Sequence, residues 1–194
     1  MAYVGLANPY IAKLIDEAQK KYTDCFKCGK AININITPNY NEAKLYADNQ
    51  LAEVAKEFKD GNITLGTDRL PMKALEVCFG HNVNNEKNEV TYKTNDNANA
   101  VGVGFYVDEM ISGKRQYVAT IVYKATFSES ADDYTTKGET IEFKTPSIEG
   151  TIAGLETGEW KTTKTFGTAA LADAWLRETL GYKEPTVQAP EESE

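Results

Sequence analysis

A single histidine, His81, is all the imidazole this chain has, and Cys25, Cys28 and Cys78 are all its thiols. One histidine excludes multi-histidine metal centres, and three cysteines are too few and odd in number for a disulfide framework. No serine or cysteine sits in a nucleophile-elbow pattern. The longest apolar runs are a few residues, far below the roughly 20 that a bilayer-crossing helix needs, so no membrane span is expected. The N-terminal "MAYVGLANPYIAKLIDE" lacks a basic start followed by an apolar run, so the sequence points to folding in a reducing cytoplasm. That sets aside the N-x-T triplets at Asn35–Thr37 and Asn62–Thr64 as glycosylation sites. Positive charge is also scarce. Of a formal net charge of −8, residues Lys183–Glu194 carry −3 and leave −5 on the body, without the basic footprint of a phosphate-gripping protein.

With 194 residues and 41% hydrophobic content, the chain suits one domain of ordinary size. "KAININIT" alternates strictly, Ile32, Ile34 and Ile36 on one face and Asn33, Asn35 and Thr37 on the other, as a half-buried strand does. "QYVATIVYKATF" places Tyr117, Ala119, Ile121, Tyr123, Ala125 and Phe127 on one side of a long central strand. In "VGVGFYV", Val101, Val103, Phe105 and Val107 are in phase, and Gly102 and Gly104 mark a close approach or a bend. "ETIEFKT", "IEGTIAGL" and "GEWKTTKTF" add further strands. Turns are expected at "TPNYNE", "KDGN", "SGKR", "TPSIEG" and "ETGE".

Two helices are predicted. Around 70–79, Pro71 suits the first turn, Leu75, Cys78 and Phe79 form a stripe, and Gly80 suits the stop. Around 168–180, Ala169, Ala172, Trp175, Leu176 and Leu180 share a face between an N-cap at Thr168 and a stop at Gly181. In "DNQLAEVAKEFKDG", Leu51, Val54, Ala55 and Phe58 follow helical spacing, while "DGN" reads as a hairpin turn. Periodicity favours the helix. The fold class is mainly β: an antiparallel sandwich or barrel with two helices, a single domain over 1–182, and an acidic tail over 183–194 expected to be disordered.

Cys25, Cys28, Cys78 and His81 form a C-x-x-C and a C-x-x-H, and a Cys3His zinc site needs four such ligands drawn into a tetrahedron. Against this, Cys78 falls in phase with Leu75 and Phe79 as a small apolar residue, and on a continuous strand Cys25 and Cys28 would point to opposite faces. No metal is therefore favoured, and a zinc-stabilised binding module stands as the alternative. "VGVGFY" lacks the third glycine and following helix of a dinucleotide fingerprint. No catalytic residue is assigned, and no enzyme is expected.

"ITPNYNEAKLYADNQLAEVAKEFKDGNITLGTDRL", then "GHNV", "NEVTYKT", "VGVGFYV", "FSESADDYTTKGETIEFKTPSIEGTI", "GEWKTTKTF" and the Trp-containing helix follow one another in order. Together, from about Val4 to Gly181, they resemble the major tail proteins of long-tailed, non-contractile phages of the phi13-like type. The resemblance implies a tail-tube subunit, a β-sandwich with a flanking helix, closing into stacked hexameric rings whose lumen conducts DNA. It implies no catalytic residues and no required metal, and it makes "LAEVAKEFKDGNITLGT" part of a hairpin rather than a helix. It also implies copies of the chain itself as partners, with tape-measure and tail-terminator proteins. The location would be a phage or prophage virion tail assembled in the bacterial cytoplasm. The loops "NYNEAKLYADN" and "NVNNEKNEVTY" and the acidic tail are expected to order on assembly.

Overall fold

The structure is a computed structural model and describes residues 2–47, 50–111, 113–131, 136 and 145–184. The chain runs β1 (Ala2–Asp16), β2 (Lys21–Lys27), β3 (Ala31–Ala47), β4 (Gln50–Thr67), α1 (Met72–Phe79), β5 (Asn82–Asn84) and β6 (Glu89–Thr91). It continues with β7 (Ala100–Ile111), β8 (Lys114–Ser128), β9 (Ser147–Ile152), β10 (Lys161–Phe166) and α2 (Ala169–Leu180). Eight strands form one antiparallel sheet in the order β2-β1-β7-β8-β9-β4-β3, with β10 on β8 off this path. β5 and β6 pair as a separate small hairpin.

β8 is the centre, as its length and alternation predict. One edge carries β7, and the other is shared between β10 along Tyr117–Val122 and β9 along Ala125–Ser128. A bulge makes the division possible. Val103 faces Val122 and Val101 faces Ala125, so two residues of β8, Tyr123 and Lys124, stand opposite one of β7. The extra residue reverses the side-chain alternation. Ala119, Ile121 and Tyr123 therefore join one core, whereas Ala125 and Phe127 join the other. The six residues expected on one face of this strand are split by that bulge.

Each face of the sheet buries its own helix. α1 brings Ala74, Val77, Cys78 and Phe79 onto Ile63, Leu65, Val101, Val103 and Phe127. α2 brings Ala172, Leu176 and Leu180 onto Tyr10, Tyr22, Ala119 and Ile121. Leu176 and Leu180 are fully buried, each a gain of about 1.5–3 kcal/mol over exposure. Both helices end as predicted, at Gly80 and Gly181 in left-handed conformations. Thr168 caps α2 by accepting from the Leu171 N–H, and Pro71 sits at the cap of α1, one position before its first turn.

Several expectations are corrected. The sheet is open rather than a barrel: the ends of its path, β2 and β3, are not paired with each other. The helix read from Leu51, Val54, Ala55 and Phe58 is instead β4, paired with β3 from Ala47↔Gln50 back to Ala31↔Thr67. The hairpin implied by the resemblance is present, but its strands pair outward as far as Ala47↔Gln50, and the chain continues as strand through "DGN" and "TPNYNE". "NYNEAKLYADN" is thus mostly strand, and "NVNNEKNEVTY" holds β5 and β6. Strands β1 and β2 carry no sequence prediction. "ETIEFKT", apart from Thr145, and the tail from residue 185 lie outside the described residues. Among the described residues, no helix is long and apolar enough to cross a membrane.

Gly102 and Gly104 mark close approach, not a bend. A Cβ on Gly104 would meet Leu180 and Leu176 of α2, and one on Gly102 would lie 2.4 Å from the Tyr22 ring. That ring cannot swing aside freely, because its hydroxyl donates to the Tyr123 carbonyl at 3.0 Å. Gly102→Ala should therefore cost about 1–3 kcal/mol in urea unfolding. Gly154→Ala, with open space around the new methyl, should stay within about 0.5 kcal/mol. Equal effects at the two sites would contradict this packing.

Candidate functional site

The most unusual feature is the outer half of the β3–β4 hairpin. Among the described residues, β4 has a second strand beside it, β9, only along Gly61–Gly66, and β3 pairs with β4 alone. From Asn39 outward and back to Asp60 the hairpin is a two-stranded ribbon. Isolated two-stranded ribbons are marginally stable in water, because too little apolar surface is buried to offset the ordering of the chain. The side chains at 40–45 and 53–57 are exposed on both faces, including Tyr40, Leu45 and Val54.

The root of the ribbon is braced. Asn39 pairs with Asp60 and Tyr40 with Phe58, leaving Lys59 as a bulge, and the Asn39 side-chain amide donates to Asp60 at 2.6 Å. Beyond the bulge, Phe58 stacks on Trp160 with ring centroids 4.7 Å apart and planes within 4°, and Tyr40 meets Phe58 edge-on. Trp160 is itself fixed, since its carbonyl accepts the Tyr123 N–H at the β8 bulge. This aromatic ladder holds one face of the ribbon at its root. Further out on that face, Lys44 and then Lys56 hydrogen-bond Glu42 and hold its carboxyl below the usual value. The other face carries Ala43, Ala55 and Leu45 between Glu53 and Glu57.

The four zinc-candidate residues do not converge. Cys28 and Cys78 are buried in the core under α1, while Cys25 packs against the core under α2, on the opposite face of the sheet. Cys25 lies on β2 and Cys28 just past its end, and the odd spacing still puts them on opposite faces. Burial pushes the Cys25 and Cys28 thiols up to about 12 and raises Cys78 further, which disfavours the thiolates that a metal needs. Among the described residues, no group of three or more His, Cys, Asp or Glu side chains is placed to hold a metal ion.

His81 has a different role. Gly80 turns the chain in a left-handed cap, closed by the His81 N–H on the Leu75 carbonyl, and the imidazole finds its partners outside α1. Its Nδ1 lies 2.7 Å from Asp96, and its Nε2 contacts Glu129. The Tyr92 ring is 4.4 Å away. Asp96 also accepts the Lys93 N–H. This clasp joins the end of α1 to the loop after β6 and to the end of β8. Sequence spacing could not reveal it, since Asp96 and Glu129 are 15 and 48 residues away.

Burial pulls the His81 pKa down, but its hydrogen bonds to the Asp96 and Glu129 carboxylates outweigh it and leave it above 6.5. The histidine's contribution to stability is then fully present below pH 6.5 and is lost as pH rises through the folded value. Asp96 is shifted the other way, chiefly by its bond to His81, so its contribution is lost as pH falls through its lowered value. The stability difference between the native protein and His81→Gln, from urea unfolding, should shrink steadily as pH is raised above 6.5. A difference that grew over that range would refute the clasp.

A comparison with protein-family models gives no match, and none is found among curated proteins.

Proposed function

We propose that this chain is a non-catalytic structural subunit that self-assembles, of the tail-tube type its sequence resembles. The observation that carries the reading is the ribbon, in which twenty or so residues of strand leave the body with backbone edges that have no partner among the described residues and with apolar side chains on both faces. Exposed edges of this kind are templates for pairing with another chain. Copies that meet through different surfaces close into rings when the rotation between them permits, and a hollow tube is a stack of such rings. Hexameric rings, a phage or prophage virion tail, and contacts with tape-measure and tail-terminator proteins follow from the resemblance. The acidic balance suits a lumen that DNA passes without sticking, because like charge repels the backbone over about a Debye length of 8 Å at physiological salt.

The test is to replace Tyr40–Glu57 by Asn-Gly and follow assembly by electron microscopy and sedimentation. Native protein should form rings or tubes as its concentration rises. The shortened variant should stay monomeric with its melting temperature within a few degrees of native, since the exchanged residues lie outside both cores. Native protein that stays monomeric at every concentration, pH and salt tried, or a shortened variant that assembles equally well, would overturn the reading.

A further inference from the structure

We propose that copies of this chain join head to tail, the outer face of one ribbon, bearing Glu53 and Glu57, docking on the basic hollow formed by Lys27, Lys30 and Arg69 of a second copy. The proposal rests on the self-assembly reading and names its contact surfaces.

Glu53 and Glu57 are four residues apart on β4 and so lie on one face, the face turned away from Trp160. Both are exposed and make no ion pair among the described residues. Between them Ala43 and Ala55 are directly paired, a strip of small side chains that lets another surface come close. On the opposite face Glu42 is already neutralised by Lys44 and Lys56. The ribbon therefore has one electrostatically satisfied face and one bearing free negative charge.

The complementary surface is at the far end of the same β3–β4 hairpin, where it joins the body. Lys30 immediately precedes β3, Asp68 and Arg69 immediately follow β4, and with Lys27 and Gly29 they line an open hollow of about 480 Å³. Asp68 is occupied within it, accepting the Lys30 N–H at 2.6 Å. A Cβ on Gly29 would lie 2.5 Å from that same oxygen, so glycine is what lets the two loops close together. Lys30 and Arg69 form no ion pair among the described residues, and Lys27 reaches only the neutral amide of Asn8. Three cations against one carboxylate make a local positive excess on a chain of net charge −8.

The hairpin is thus acidic toward its tip and basic at its root. Identical copies side by side would bring like charges together, whereas copies displaced along the ribbon bring opposite charges together. Ten to fourteen residues of β4 separate Glu57 and Glu53 from Thr67. At about 3.3 Å per residue this is about 33–46 Å, too far for the two groups to meet within one molecule. The contact is available only between molecules.

The experiment compares native protein with E53K/E57K, K30E/R69E and the variant carrying all four changes. Assembly is read by sedimentation at low and high salt, and contacts by zero-length carbodiimide cross-linking of mixed light and heavy isotope-labelled protein. Each double reversal should raise the concentration of half-assembly at least about tenfold, and the fourfold variant should restore it to within about threefold. Native protein should assemble less readily at high salt and yield cross-links from Glu53 or Glu57 to Lys27 or Lys30 that join light to heavy copies. Circular dichroism should show every variant folded, because all four residues are exposed. Double reversals without effect, or a fourfold variant no better than either double, would overturn the docking even if the shortened ribbon still abolished assembly. In that case self-assembly would stand and only these surfaces would fall. Native protein that never assembles would overturn both.

Discussion

A strand has hydrogen-bonding groups on both edges, and the structure is arranged around where those edges find partners. Among the described residues β1, β7, β8 and β9 have neighbours on both sides while β2 and β10 pair on one side only, and β8 has three neighbours because a bulge at Tyr123 and Lys124 lets β10 and β9 share one edge. The two faces of that sheet are covered by one helix each, so the apolar side chains are buried twice over. The β3–β4 ribbon is the exception. Among the described residues it continues well past β9 with neither a third strand nor a covering helix, and the stacked Phe58 and Trp160 brace its root. An element so marginal on its own is understandable as half of a contact.

Some charges of the body tie elements together: His81 lies between Asp96 and Glu129, and Arg177 pairs with Asp173 on α2, where Asp173 also accepts from Asn8 and Tyr10. These tie loops and helix to the sheet. The unengaged charges at the two ends of the hairpin are of opposite sign. The cysteines take no part in either arrangement. They fill small apolar spaces on two faces of the sheet, and burial holds their thiols protonated.

Much of the body was legible because burial imposes a pattern. Ile34 and Ile36 pack on the core as alternation in "KAININIT" predicts, although Ile32 at its start remains half exposed. Capping residues located both helices. The ribbon was illegible for the complementary reason: with both faces in water, nothing enforces alternation. Val54 and Phe58 lie on one face and Ala55 on the other, and their helical spacing is a coincidence that no core corrects. Pro38 and Gly61 read as turn residues but sit within strands. Pro38 is tolerated on an edge strand, and Gly61 lets β4 approach the Thr37 carbonyl closely. β1 escaped notice because its register with β7 slips at Asn8, in left-handed conformation, and again near Val4, so no run shows a clean period of two. Of the candidate site, the four residues were visible in sequence, but the sheet's two faces separate them. The ribbon, by contrast, was visible only through resemblance.

The central claim is that the ribbon, which no other described strand supports beyond β9, gains its support from other copies. Hydrogen exchange measured by mass spectrometry across a concentration series tests this directly. Peptides spanning residues 39–60 should exchange fast in dilute protein and slow down in step with assembly, while peptides from β7 and β8 stay protected throughout. A ribbon as protected as β8 in the dilute monomer, or one that still exchanges fast in fully assembled particles, would contradict the account.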